Sequence, residues 1–263
     1  MYHRQRKNKQ RIRTKFSAFM MLFVFIIVFI CHIGLLNPDL TASVKTSFQD
    51  TLKGLFTNSS KQDTALFYSE SRPENTTLSV TFLDVGQGDS ILIQIGTDYN
   101  MLIDAGTREA GDTIESDLEA LGVTSLDAVV ATHPHADHIG SMKQIIEDYT
   151  IGTFYMPLLP DDQTPTTATY ENMLDTLLDK NVQTEQISTD TKISAPENAN
   201  FAVLSPEKDE IFDNLNNYSA VLRFTYGNIS FMLTGDAETE VEENILARET
   251  NITANILKCG HHG

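Results

Sequence analysis

Five of the seven histidines in this 263-residue chain fall in two short groups: His133, His135 and His138 in THPHADHIG, and His261 and His262 in CGHHG. Neutral imidazole and carboxylate are donors that suit zinc and related divalent ions, and H-x-H-x-D-H packs four of them into six residues. The run follows DAVVA (127–131), which reads as a buried strand. A turn at Pro134 then lets His133 and His135 address one metal while Asp137 and His138 address a neighbour. The pattern points to a two-metal centre; a solvated polar turn ahead of a helix is the plainer alternative, and it accounts poorly for so specific a cluster.

Other residues carry chemistry less decisively. Asp236 follows the apolar run ISFMLTG (229–235) and precedes a Glu-rich stretch, so taken alone it is equally a ligand or a helix N-cap. Asp84, Gly86, Gln87, Gly88 and Asp89 form a glycine-rich loop, but a strand follows rather than a helix, and the dinucleotide-binding reading fails on that context. Its glycines either let backbone approach the metal centre, with Asp84 and Asp89 held beside the ligands, or simply turn a hairpin. The two cysteines, Cys31 and Cys259, exclude a disulfide scaffold and a cysteine-built zinc module. Cys259 has no base partner other than the metal-ligand candidates and reads as a buried strand-end residue.

The elements that must position these groups begin near Leu78. LSVTFLD (78–84), SILIQI (90–95) and NMLID (100–104) read as a strand meander, followed by a helix over 112–121, the strand 127–131 and a helix over 139–149. Residues 157–200, rich in Pro, Thr and Asp around one helix at about 168–180, read as an excursion over the surface. Strands resume at 201–205, 219–226 and 229–235, with Gly227-Asn228 as a hairpin turn. A Glu-rich helix over 237–248 and a last strand over 254–258 complete the order. The sum is an α+β domain of face-to-face sheets covered by helices.

Ahead of that domain, residues 16–36 hold 18 apolar residues in 21, enough helix to span a hydrocarbon core of roughly 30 Å. Residues 1–15 carry seven basic residues and no acidic one, so they stay in the cytoplasm by the positive-inside rule and the rest is exported. The division expected is a basic cytoplasmic segment (1–15), a transmembrane signal anchor (16–36), an extracytoplasmic linker (37–77) and the folded domain (78–263). A cleaved signal peptide is the alternative to an anchor. Within the linker, 41–56 has the spacing of a short amphipathic helix. Residues 16–263 carry 12 basic against 36 acidic side chains. Such a body lacks the cationic surface of a passive nucleic-acid-coating protein, and action on a polyanion requires a metal or a local cationic patch.

THPHADHIG is similar to the signature of the metallo-β-lactamase fold. FLDVGQGDSILI (82–93), NMLIDAG (100–106), NNYSAVLRFTYGNISFMLTGD (216–236) and LKCGHHG (257–263) resemble, more narrowly, the branch containing the hydrolase domain of ComEC-type competence (DNA internalisation) proteins and cell-wall phosphorylcholine esterases. The resemblance runs from Leu78 to Gly263. It implies a four-layer αββα sandwich with metals at the strand edges, and it expects further chain after the last histidine motif, so that the C-terminal part reads as truncated. His133 and His135 would hold the first metal, Asp137 and His138 the second, and Asp236 would bridge. His262 or His261 would complete the second site, with His262 favoured as ligand and His261 as the substrate-facing group, leaving Asp137 and His261 as the catalytic pair. Asp104, in LIDAG, matches the aspartate that orders the metal loop.

One departure stands out. Many members of this family supply a third histidine to the first metal, yet none lies between His138 and His261. That metal is then four-coordinate through His133, His135, Asp236 and a bridging hydroxide, or it is weakly held. Asn216, Asn217 and Ser219 occupy the corresponding stretch and are candidates for substrate contact, or else a polar loop before a strand. The cofactors implied are two divalent ions, Zn²⁺ with Mn²⁺ as the alternative, which activate water for hydrolysis of a phosphodiester. A β-lactam or other acyl hydrolase is the enzymatic alternative. A catalytically inactive metal-binding module of the envelope is the rival from another class. The partners expected are the membrane, through the N-terminal helix, and a small-molecule or envelope phosphodiester, with DNA disfavoured by the acidic charge.

Overall fold

A computed structural model describes residues 77–262. The expected basic segment, anchor and linker lie outside the described residues. Among the residues described, no helix is long and apolar enough to cross a membrane.

The first three strands, β1 (Leu78–Phe82), β2 (Ile91–Ile95) and β3 (Tyr99–Ile103), form the expected antiparallel meander, with Leu78 opposite Ile95 and Ile91 opposite Ile103. Helix α1 (Gly111–Ala120) then carries the chain to β4 (Ser125–Val130), which lies parallel to β3. Helices α2 (Ala136–Ile139) and α3 (Met142–Asp148) lead to β5 (Thr150–Met156), and α4 (Ala168–Asp179) leads to β6 (Gln183–Gln186), both strands again parallel to their predecessors. The result is a six-stranded sheet in sequence order. The second sheet contains β7 (Ala199–Ser205), β8 (Val221–Tyr226) and β9 (Ile229–Leu233), paired antiparallel, with α5 (Thr239–Ala247) crossing over to β10 (Ile256–Lys258), which pairs parallel to β9.

Side chains alternate across a strand, and here both faces of the first sheet are buried. Ile91, Ile93 and Ile95 of β2 point with Met101 and Ile103 toward Phe201, Val203, Leu222 and Phe224 of the second sheet. Leu92, Leu102, Val129 and Phe154, on the opposite face, meet Ile114 and Leu118 of α1 and Met142 and Ile145 of α3. On the far side Val241 and Ile245 of α5 are buried over the second sheet. These layers make the α+β sandwich that the sequence reading expects. Full burial of one such Ile or Leu contributes roughly 1.5–3 kcal/mol, so the inter-sheet layer and the helix-facing layers both hold the domain together.

Four elements differ from the reading by sequence. The helix expected over 139–149 is broken at Gly140-Ser141, where Gly140 N donates to Gly106 O at 2.9 Å and a Cβ would strike the backbone of Thr107 and Arg108. Strands β5 and β6 were not foreseen. The surface excursion over 157–200 thus contributes a paired strand to the sheet as well as a helix. The strand expected from Ser219 starts at Val221, preceded by a 3₁₀ turn (Leu215–Tyr218).

Candidate metal centre

The histidines and aspartates converge from the C-terminal ends of four strands. The chain leaves β3 at Asp104, β4 at the loop holding His133 and His135, β9 at Asp236 and β10 at the loop holding His261 and His262. Asp104 is completely buried and takes a left-handed backbone, φ 59°, where a short polar side chain is tolerated. Its Oδ1 accepts from Thr132 N at 2.8 Å and its Oδ2 from Thr132 Oγ1 at 2.7 Å, while Oδ2 also lies 2.8 Å from His138 Nδ1. One carboxylate therefore fixes the metal loop by its backbone, by a hydroxyl and by an imidazole.

These bonds orient two imidazole rings. The Thr132 hydroxyl proton is committed to Asp104, so at 3.1 Å Thr132 Oγ1 accepts from His133 Nδ1–H, and the buried His133 Nε2 is left as a bare lone pair. Asp104 likewise takes the proton on His138 Nδ1 and turns His138 Nε2 toward Asp236 Oδ2, 3.2 Å away. This is the arrangement by which a carboxylate orients a ligating imidazole.

Asp236 sits between the two groups of histidines. Its Oδ2 is 3.9 Å from His133 Nε2 and 3.3 Å from His262 Nε2, and its Oδ1 is 3.1 Å from His261 Nδ1. Asp137 Oδ2 is 3.2 Å from His261 Nε2 and accepts from Gln87 Nε2 at 3.4 Å. The rings of His133 and His138 lie 4.1 Å apart, His135 meets His133 edge-on at 4.9 Å, and His138 and His261 stack at 5.1 Å.

The electrostatics follow from this crowding. Burial pushes His133 well below the ordinary imidazole range, and the neighbouring His138 and His135 push it further. Burial would lower His138 too, but Asp104 and Asp236 outweigh it and hold that imidazole at about 10. Burial would raise Asp236, yet the hydrogen bond from His138 and the fields of His138, His133 and His261 hold it below the usual carboxylate range. In Asp89, burial prevails over the pull of Lys258 and the carboxyl is raised.

The donor set fits divalent metal. Among the described residues, His133 Nε2 and both ring nitrogens of His261 are buried without an aligned hydrogen bond, although carboxylate oxygens lie 3.1–3.9 Å from them. Unpartnered imidazole nitrogens aimed at carboxylates are costly unless a cation sits between them. Asp89, His138, Asp236 and His261 also form a group whose ligand atoms all lie within 4.8 Å of one another. Asp89 reaches that group only from behind His138, 4.0 Å from the Nδ1 that Asp104 already occupies, and its carboxylate is paired with Lys258. Asp137 faces the open side and is the better placed of the two carboxylates to join Asp236.

Residues 83–263 match the Metallo-beta-lactamase superfamily. The chain belongs to that superfamily. Its curated relatives support the competence-protein branch: it is 30% identical to ComE operon protein 3 of Bacillus subtilis (strain 168), over 70% of this chain and 25% of that protein. It is also 30% identical to Competence protein ComA of Neisseria gonorrhoeae, over 74% of this chain and 25% of that one. The chain spans about a quarter of the length of these relatives. Among solved structures, a metallo-β-lactamase HARLDQ motif mutant S60 of Cronobacter sakazakii is similar with a TM-score of 0.47 and 15% identity, over 69% of this chain and 74% of that one.

In this superfamily member, His133, His135, Asp137, His138, Asp236, His261 and His262 stand together, and Asp104 and Asp89 stand beside them. Three expectations need correction. Asp84 is exposed and accepts from Gly86 N at 3.3 Å, closing its own turn rather than supporting a ligand. Asn217 and Ser219 are buried, and their polar groups are taken up by neighbouring residues. Ser219 Oγ accepts from Asp236 N at 3.0 Å, while Asn217 accepts from Glu238 N at 3.1 Å and donates to Glu240 at 2.9 Å, so together they anchor the Asp236 loop and the start of α5. Asn216 does the same through Glu238. Of the last two histidines, it is His261 that enters the half-buried cluster, whereas the His262 side chain is 57% exposed at the rim. Both histidines border the Asp236 carboxylate, at 3.1 Å and 3.3 Å, and Cys259, expected to be buried, is exposed.

Gly88 is where the glycine-rich loop matters. At φ 83° it passes so close to the Asp137 carbonyl that a Cβ would overlap it, so the loop does let backbone approach the centre. Two contributors went unnoticed by sequence reading, Thr132 and Lys258. Thr132 directly precedes the first histidine, a position that hinted at a role; Lys258 looks like an ordinary strand-end lysine.

Proposed function

We propose that this chain is a membrane-anchored, extracytoplasmic metal-dependent hydrolase of phosphodiesters. The observation that carries it is the buried, unpartnered His133 Nε2 facing Asp236 within a cluster of five imidazoles and two carboxylates. His133 and His135 would hold one ion, Asp137, His138 and His261 the other, with Asp236 shared between them. Zn²⁺ is the preferred ion on the softness of the imidazole-rich set, with Mn²⁺ as the alternative. Such ions, when bound, lower the pKa of a shared water and offset charge developing on the ester.

The side chains of this site supply the rest. Asp137, hydrogen-bonded by Gln87 and facing His261 Nε2, is placed to hold a proton at the open side of the centre. His262, exposed at the rim with its Nε2 3.3 Å from Asp236 Oδ2, is accessible to a substrate oxygen. The phosphodiester assignment is supported by the resemblance to the competence and phosphorylcholine esterase branch, and by charge: an acidic body with a cationic centre attracts a phosphate only at that centre.

The test is turnover of a small chromogenic phosphodiester by the full chain, expected to vanish with a chelator and to return with Zn²⁺ or Mn²⁺. Asp236→Ala should lose both bound metals and all activity. Robust turnover of a chromogenic β-lactam with none of the phosphodiester would overturn the substrate class. A folded, metal-loaded protein inactive on both would favour an inactive envelope module.

A further inference from the structure

Lys258 ends β10, and its side chain is 10% exposed. Burying an ammonium is costly unless it is both paired and hydrogen-bonded. Here it is both: Nζ forms an ion pair with Asp89 Oδ2 and donates to the Gly235 carbonyl at 3.1 Å.

The two partners belong to different sheets. Asp89 lies in the β1–β2 loop, its Oδ2 4.0 Å from His138 Nδ1, and its own carbonyl accepts from Gly106 N at 2.8 Å, two residues beyond Asp104. Gly235 leaves β9 and directly precedes Asp236. It is wedged at φ 52° where an added Cβ would come within 2.9 Å of Ser219 Cβ. One ammonium thus grips a carboxylate beside His138 and a carbonyl adjoining Asp236. A buried ion pair is weak evidence for stability, because the desolvation cost consumes much of the attraction, and in some systems such a pair is kept for the geometry it fixes.

We propose that Lys258 is a positioning residue for the metal centre, fixing the spacing between His138 of the first sheet and Asp236 of the second by holding Asp89 and the Gly235 carbonyl at once. The inference rests on the metal-centre reading and adds a consequence to it. Neutralised by the lysine, Asp89 stays out of the ligand set although one of its oxygens lies within 4.8 Å of ring nitrogens of His138 and His261 and an oxygen of Asp236.

The experiment is Zn²⁺ titration of the full chain in mild detergent, with far-UV circular dichroism and melting temperature recorded on the same samples. Lys258→Met should bind Zn²⁺ about tenfold more weakly with its dichroism unchanged, the loss typical of groups that orient ligands. Lys258→Arg, which keeps the charge and several donors, should recover most of that affinity. The double variant Lys258→Met/Asp89→Asn should be no weaker than Lys258→Met alone, since the pair acts as a unit. If Lys258→Met does not fold, Lys258→Gln, which keeps a donor but no charge, is read against Lys258→Arg in the same way. Unchanged Zn²⁺ affinity with a lowered melting temperature would make Lys258 a stabilising residue only and overturn the proposal. So would an arginine variant that recovers nothing, or a double variant in which the losses add. Absence of Zn²⁺ binding by the unsubstituted chain would defeat the metal-centre reading and this inference together, whereas binding that Lys258→Met leaves intact defeats the inference alone.

Discussion

Asp104 shows how much one buried carboxylate organises. It satisfies the backbone and hydroxyl of Thr132 and the Nδ1 of His138, so truncation to Ala would strand three buried donors, at about 1–3 kcal/mol each. That variant would confuse folding with chemistry. Asp104→Asn is the sharper probe, since Asn tolerates the left-handed φ of 59° and keeps one oxygen for Thr132 N. It replaces the other oxygen with an amide that cannot accept from His138 Nδ1–H, and the imidazole loses the partner that sets its tautomer. The expected result is a folded protein whose metal affinity falls by about 10–100-fold, measured by calorimetric titration. Native affinity in Asp104→Asn would mean that His138 needs no such orientation.

At the scale of elements, β3 gives a consequence remote from the metal. Tyr99 opens that strand, buried between the sheets, with its hydroxyl donating to Ser194 O at 2.8 Å. Burial, then Asp127 and Tyr155, raise this phenol above its ordinary range. Above about pH 10 the unfolded chain loses the proton while the folded one keeps it, so the contribution to stability is complete below about 10 and is lost as pH climbs toward the raised value. Denaturant midpoints should therefore fall between about pH 8 and about pH 11, and Tyr99→Phe should flatten that fall while costing about 1 kcal/mol at neutral pH; an equal fall in both proteins would refute the assignment. Burial also explains which elements the sequence revealed. The run ILI within SILIQI is apolar on both faces because both are covered, and so it reads as a strand. Strand β6, QTEQ, is a mostly exposed edge whose pairing with β5 is all that defines it, and nothing in its composition announces that. The candidate ligands were legible because imidazole and carboxylate cluster by type. The task of Asn217 and Ser219 was not, because a polar side chain that holds a loop and one that meets a substrate look alike until burial separates them.

At the scale of the whole molecule, charge is distributed in two blocks: seven basic residues within the first fifteen, and an acidic body of 12 basic against 36 acidic side chains thereafter. Between them lies the 21-residue apolar run of 16–36. Cytoplasmic retention of Lys and Arg sets the orientation of a single apolar span, and acidic residues have little influence, so the body's own charge does not oppose export. The proposed arrangement keeps residues 1–15 inside and presents 78–263 outside, where an acidic surface resists non-specific adhesion to polyanions. Protease added to intact cells should then degrade residues 78–263 while a short N-terminal fragment stays in the membrane fraction. Replacing Arg4, Arg6, Lys7 and Lys9 by Gln should leave a measurable share of the chains protected, because the orienting signal is weakened while the apolar span is untouched. Recovery of the full-length chain in the soluble cytoplasmic fraction would refute the anchored arrangement, and a protease-accessible domain released into the medium would show that the apolar segment is cleaved after export.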